Sequence, residues 1–181
     1  MKVAGHGAII FLLLCGVAVA QGLGNAGKES EDLPRYLEVT PAIGTGGQVT
    51  NEGIRQLAEK GYRAVINLRD AGEGVDLETE QKSVEAAGMA YYAVPLSGTA
   101  PDPAQAEKFL DLMKSLDRKK VFVHCATANR VGSLMLIKRV VQDGLSLDEA
   151  VAEALRIGLK SDTLKQFALD IIARHLPAGQ K

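Results

Sequence analysis

Residues 121–132, VFVHCATANRVG, constrain this chain more than any other stretch. Val121, Phe122 and Val123 form the β-branched and aromatic run of a buried parallel strand. From Arg130 to Gln142 the apolar residues Val131, Leu134, Met135, Leu136, Ile137, Val140 and Val141 follow a helical pattern. That helix is apolar on most sides, as when a helix is buried against a sheet. Between them, Cys125, Ala126, Thr127, Ala128, Asn129 and Arg130 must turn strand into helix within one tight loop, with a thiol at the strand's carboxyl end.

The physics of such a junction favours an anion. Backbone N–H groups of the loop and the positive end of the helix dipole converge on one small volume. The same field favours thiolate over thiol and makes Cys125 nucleophilic. Arg130 can return over the loop and offer a planar fork of donors to an oxyanion. His124 is placed to orient the cysteine through a hydrogen bond. A lone cysteine is most often a small buried core residue. The His-Cys…Arg arrangement on a strand–loop–helix junction instead gives each residue a chemical role.

The first twenty residues read as an export signal rather than as part of the fold. Lys2 supplies the positive start, Ala8 to Val19 the apolar run, and Ala18-Val19-Ala20 the small-x-small cleavage pattern. The mature chain is expected to begin at Gln21, in the periplasm or outside the cell. The apolar run is too short for a comfortable membrane span, so no stable membrane association is expected after cleavage. A lipoprotein reading through Cys15 is weaker, because Leu14 precedes it where such sites carry a small residue. Loss of Lys2 would take the formal charge from −1 to −2, and loss of Cys15 would leave Cys125 as the only thiol. An exported protein with one cysteine cannot brace itself with an internal disulfide, so retention of that thiol points to chemistry.

The rest of the composition mainly excludes. Near-neutral charge gives no reason to expect nucleic acid as a partner. Three histidines and two cysteines, none at ligand spacing, argue against a metal site, and no cofactor is expected. Apolar and charged contents of 46% and 24% are ordinary for a globular chain, and 181 residues suit one domain. We place a signal peptide at 1–20, a flexible Gly- and charge-rich linker at 21–34, the folded domain at 35–176 and a tail at 177–181.

Within the domain, strands are expected at Tyr36 to Thr40, Ile43 to Gln48, Ala64 to Leu68, Met89 to Leu96 and from Val121. Helices are expected at Asn51 to Lys60 (capped by Thr50), about Leu77 to Ala87, from Pro103 (capped by Asp102), Arg130 to Gln142, Leu147 to Ile157 (capped by Ser146) and Ser161 to His175. This alternation implies an α/β fold, a mainly parallel sheet of four to five strands flanked by helices. Ligands then sit at the carboxyl ends of strands, where the Cys125 loop and the loops after Leu68 and Leu96 lie.

The segments GGQVT, GYRAVINLRDAGE, AGMAYYAVPLSG and VFVHCATANRVG resemble the bacterial protein-tyrosine-phosphatase-like family found as the phosphatase-like domain of beta-lactamase-hydrolase-like proteins. That family is similar in fold to the dual-specificity phosphatases. The resemblance covers roughly Tyr36 to Gly158 and is most specific at Ile66 to Arg69 and at His124-Cys125…Arg130. It implies two-step phosphoryl transfer from a phosphorylated protein or small-molecule phosphate ester. Cys125 would form a phosphocysteine, while the N–H groups of Ala126 to Asn129 and Arg130 hold the oxyanion.

The chain departs from that pattern in places. Four residues separate Cys125 from Arg130 where such phosphatases have five; four is the spacing of rhodanese-like sulfurtransferases. The loop lacks its usual glycine, although Asn129 tolerates a left-handed backbone. Val131 replaces the usual Ser or Thr after the arginine, leaving Thr127 as the loop hydroxyl and Ser133 further along the helix. The acid-bearing loop is SGTAPDP, whose carboxylate, Asp102, equally fits a helix N-cap; Asp70 and Glu73 are the other carboxylates within reach. Arg69 suits a structural ion pair, Gln48 a role in its turn, and His175 the helix dipole. Three functions stay open: a cysteine phosphatase, a sulfurtransferase carrying a Cys125 persulfide, and a non-catalytic oxyanion-binding module.

Overall fold

The computed structural model describes residues 30–176 together with Met1; the expected signal peptide, most of the linker and the tail lie outside the described residues. Five strands, β1 (Leu37–Thr40), β2 (Ile43–Gly46), β3 (Ala64–Asn67), β4 (Ala90–Ala93) and β5 (Val121–His124), form one sheet in the order β1-β2-β5-β3-β4. Only the β1–β2 edge is antiparallel; β2–β5, β5–β3 and β3–β4 are parallel. The most apolar segment, β5, takes the centre, where both faces are covered.

Among the described residues six α-helices cover the sheet. On one face α1 (Asn51–Glu59) and α2 (Leu77–Ala86) pack Ile54, Leu57 and Val84 against Tyr62, Val65 and Phe122. On the other, α3 (Pro103–Ser115), α4 (Asn129–Val141), α5 (Leu147–Ile157) and α6 (Asp162–His175) enclose the larger core. Thr50, Asp102 and Ser146 cap helices as their spacing implies; Ser161, expected as the first residue of the last helix, is instead the cap of α6, and Asp76 caps α2. Among the described residues no helix is long and apolar enough to cross a membrane.

The expected linker runs too far into the domain. Leu33 is buried, Gly47 N–H donates to the Pro34 carbonyl at 2.7 Å, and Thr50 Oγ1 donates to Asp32 Oδ1 at 2.6 Å. Residues 32–34 therefore belong to the fold: the polar composition that suggested a linker conceals one anchoring leucine.

Gly132 shows how closely α4 is held. A Cβ there would come within 2.9 Å of the Ala154 carbonyl and of Leu159 N, so α5 and its exit pass directly over the helix backbone. Gly132→Ala is therefore expected to destabilise the protein by about 1–3 kcal/mol, the usual cost of overpacking, although alanine is the better helix former. Chemical denaturation checks this; an unchanged or raised midpoint contradicts the packing.

Candidate active site

Side chains alternate along β5. Val121, Val123 and then Cys125 point into the α3–α6 core, whereas Phe122 and His124 point toward α1 and α2. Cys125 is 1% exposed, unbridged among the described residues, and lies against Arg130. His124, expected to orient the cysteine directly, faces away from it and bonds Glu80 Oε1 through Nε2 at 3.1 Å. The period-two geometry of a strand is the reason: neighbouring residues cannot share a face.

The loop after Cys125 closes through Ala128, whose φ of 64° and ψ of 2° are left-handed. Asn129, the loop residue that best tolerates that conformation, is instead the first residue of α4. Its Oδ1 accepts from the N–H groups of Lys160 and Ser161 at 2.9 and 3.2 Å, tying the loop to the α5–α6 connection. These bonds offset the roughly 1–2 kcal/mol that a left-handed alanine costs. The other five helices each have a Ser, Thr or Asp side-chain cap, but α4 has none. The N–H groups of its first turn, with the positive end of the dipole, remain available to an anion above Cys125.

Arg130 is oriented from behind. Nη1 donates to the Leu68 and Leu96 carbonyls at 3.2 and 3.1 Å and to Glu73 Oε1 at 2.5 Å, while Nη2 donates to Glu73 Oε2 at 2.8 Å. Of five guanidinium N–H donors, these contacts engage both on Nη1 and one on Nη2. The Nε edge and the second Nη2–H remain, a two-donor fork for an oxyanion. Burial opposes the Arg130 charge, but Glu73 and the neighbouring Cys125 sulfur outweigh it and hold the cation.

Above this lies an open cleft of about 350 Å³, lined by Asp70, Glu73, Ser97, Thr127, Asn129 and Arg130 among others. The bond from Arg130, opposed by burial and helped by Asp70 N–H and Arg69, lowers the Glu73 pKa to about 2. Glu73 is thus an anion near neutral pH. Asp102 is exposed, accepts from Ala104 N–H at 2.9 Å as the α3 cap, and does not line the cleft. Ser133 Oγ is spent on the Leu164 carbonyl at 2.8 Å. His175 pairs with Glu107. A larger hollow of about 590 Å³ lies at the opposite end of the sheet, where Lys138 and Arg139 are paired with Asp143.

A polar network behind the cleft was not anticipated. Arg69 Nε bonds Glu73 Oε2 at 3.0 Å, and its Nη1 donates to Gln48 Oε1 at 2.8 Å. Gln48 Nε2 donates to Glu80 Oε2 at 2.5 Å, and Asn67 Nδ2 to Glu80 Oε1 at 2.7 Å. Arg69 therefore has the structural pairing expected of it, and Gln48 does more than fix its turn. Glu80 does not stand out in the sequence because its helix reads as polar throughout; its place on the Val84 side, one turn before that apolar residue, is the available signal.

Comparison with known proteins identifies the family and the fold. Residues 23–169 match the family model PTP-NADK, described as a DSP-PTPase phosphatase fused to NAD+ kinase. A beta-lactamase hydrolase-like protein of Xylella fastidiosa is 29% identical over 121 residues. The match covers 65% of this chain and 28% of that protein, so the chain spans little more than a quarter of that relative's length. Among solved structures, a putative phosphatase from Shewanella putrefaciens superposes with a TM-score of 0.69 at 20% identity, covering 79% of this chain and 94% of that one. The catalytic core of the PP-IP phosphatase SIW14 from Saccharomyces cerevisiae gives 0.65 at 20% identity, covering 78% and 90%.

The Glu73 contacts carry a pH signature. A carboxylate whose folded pKa is lowered adds stability above its unfolded pKa and loses it as pH falls through the folded one. The stability difference between wild type and Glu73→Gln should therefore be full above about pH 5 and close as pH falls from about 4.5 toward about 2. Urea unfolding across that range measures it; a pH-independent difference contradicts the assignment.

Proposed function

The chain belongs to the DSP-PTPase phosphatase family, and on that premise we propose that it is a cysteine-dependent phosphatase hydrolysing phosphate monoesters through a phosphocysteine intermediate. One observation carries this reading: Arg130, clamped from behind by Glu73, keeps a two-donor edge beside Cys125 at the uncapped start of α4. Cys125 Sγ attacks phosphorus and the P–O bond to the leaving group breaks. The loop N–H groups and Arg130 hold the non-bridging oxygens, where charge is greatest in the transition state. Water then cleaves the S–P bond, releasing phosphate and the thiolate.

The leaving oxygen needs a proton. Of the two carboxylates lining the cleft, Glu73 is ionised and engaged by two arginines, which favours Asp70 as the general acid. Both Asp70 and Asp102 accept a capping backbone N–H, from Gly72 at 2.8 Å and from Ala104 at 2.9 Å; what favours Asp70 is its place in the cleft lining, which Asp102 lacks. Ser97, Thr127 and Asn129 make the cleft rim polar among the described residues. A polar rim favours small polar phosphate esters. SIW14, of similar fold, is itself a PP-IP phosphatase.

The spacing of four between Cys125 and Arg130 keeps one other reading in view, sulfur transfer through a Cys125 persulfide. A gain of one sulfur at Cys125 after incubation with thiosulfate identifies that route.

Steady-state hydrolysis of p-nitrophenyl phosphate and an alkyl phosphate tests the phosphatase reading. Cys125→Ser should abolish turnover of both while inorganic phosphate still binds. Asp70→Asn should lower kcat by about 10²-fold or more for the alkyl ester, and by less for p-nitrophenyl phosphate, whose leaving group needs little protonation. Asp102→Asn, which retains a capping side chain, should leave kcat near wild type. Turnover that survives in Cys125→Ser overturns the mechanism.

A further inference from the structure

Glu80 differs from its neighbours on α2. Glu78 and Glu85 are exposed, whereas Glu80 is turned under the carboxyl edge of the sheet with 8% of its surface exposed. A carboxylate there is tolerable only if hydrogen-bonded, and Glu80 accepts from three side chains. Each comes from the carboxyl end of a different strand, and the three strands are adjacent and parallel: Gln48 just beyond β2, His124 at the end of β5 and Asn67 at the end of β3. Burial by itself raises the Glu80 pKa, but His124, Gln48 and Asn67 together outweigh it and hold the carboxylate ionised.

The polarity of these bonds matters more than their number. An ionised carboxylate only accepts. It therefore obliges the Gln48 amide to present its NH2 to Glu80 and its oxygen to Arg69 Nη1. Arg69 in turn donates to Glu73, and Glu73 accepts from Arg130. Gln48 also donates its backbone N–H to the carbonyl of Ala126, the residue after the nucleophile, at 3.2 Å. Arg69 and Arg130 donate and ionised Glu73 accepts in any arrangement, so the Gln48 amide is the step whose sense is open, set by Glu80 on one side and Arg69 on the other, and beyond it the chain of bonds transmits position.

We propose that Glu80 is a positioning residue for the oxyanion cradle: it sets the amide orientation of Gln48 and, through Arg69 and Glu73, the donor edge that Arg130 presents beside Cys125. The proposal rests on the phosphatase reading for its substrate, whereas its geometry is reported by any tetrahedral oxyanion. It takes no part in proton transfer.

The polarity argument has a specific test. Glu80→Gln places an NH2 where only acceptors fit and sets it against the Gln48 NH2. The double variant Glu80→Gln/Gln48→Glu exchanges carboxylate and amide. Residue 48 then accepts from both Arg69 and residue 80, whose amide oxygen still accepts from Asn67 and His124. The readouts are kcat and KM for p-nitrophenyl phosphate, the Kd for tungstate by calorimetry, and the unfolding midpoint. Glu80→Gln is expected to lower kcat/KM and tungstate affinity each by about tenfold or more, as small misplacements of a binding group do. The exchange should restore both to within about threefold, a coupling that independent sites do not show.

A folded Glu80→Gln protein that keeps both values overturns the proposal. So does an exchange that recovers the unfolding midpoint and neither functional value. Should Glu80→Gln fail to fold, Gln48→Met interrupts the same relay at a half-buried position and must show the same losses. If wild type hydrolyses no ester, the phosphatase reading fails, and the tungstate series alone decides the relay. Wild type that binds no tungstate removes the cradle and this proposal together.

Discussion

The Glu73–Arg130 pair is the interaction on which the site depends. An arginine beside a thiol is useful only if its fork faces the right way, and a long side chain has many rotamers to lose. Glu73 takes both terminal nitrogens, and the carbonyls of Leu68 and Leu96 fix the plane. With Arg130 and Glu73 largely shielded, at 11% and 25% side-chain exposure, the pair is held more firmly than a surface ion pair. Its cost in desolvation is offset because every acceptor around Arg130 is matched, and because Arg69 braces Glu73 from the other side.

The sheet explains why these groups meet. The two carbonyls that hold Arg130 extend from β3 and β4, the nucleophile follows β5, and Gln48 follows β2. Parallel strands bring their carboxyl ends to one edge, so a few short loops deliver an anion cradle, an arginine and its supports to one place. On the opposite face of β5, His124 and Glu80 fill what would otherwise be an apolar layer around Phe122. The cost of burying them is met by complete hydrogen bonding of the carboxylate. His124 Nδ1 is left without a partner among the described residues.

Much of this was legible in order along the chain. The caps Thr50, Asp102 and Ser146, the central strand and the Cys125 loop follow from local rules of spacing and capping. What was misread involves contacts distant in sequence. His124 was assigned to its neighbour Cys125, yet its partner lies 44 residues away. Asn129 is the loop residue with the greatest intrinsic tolerance of a left-handed backbone. Its side chain was needed at Lys160 and Ser161, and Ala128 took the conformation instead. Leu33 looked like part of a linker because five polar or small neighbours outvote one leucine in any local window.

By itself, then, the sequence determined an α/β fold with a thiol, an arginine and a helix start at one strand end, because strand period, helix period and turn chemistry are local properties. The tertiary structure decided which carboxylate does what. Asp102, Asp70, Glu73 and Glu80 are indistinguishable as residue types. Asp102 caps α3 away from the cleft, Asp70 caps a helical turn at the cleft, Glu73 lines the cleft pinned by two arginines, and Glu80 is buried under three strand ends. Those differences arise from burial and from donors that arrive from other strands and helices. Only closure of the fold brings such donors within the few ångströms at which a hydrogen bond or a charge is felt.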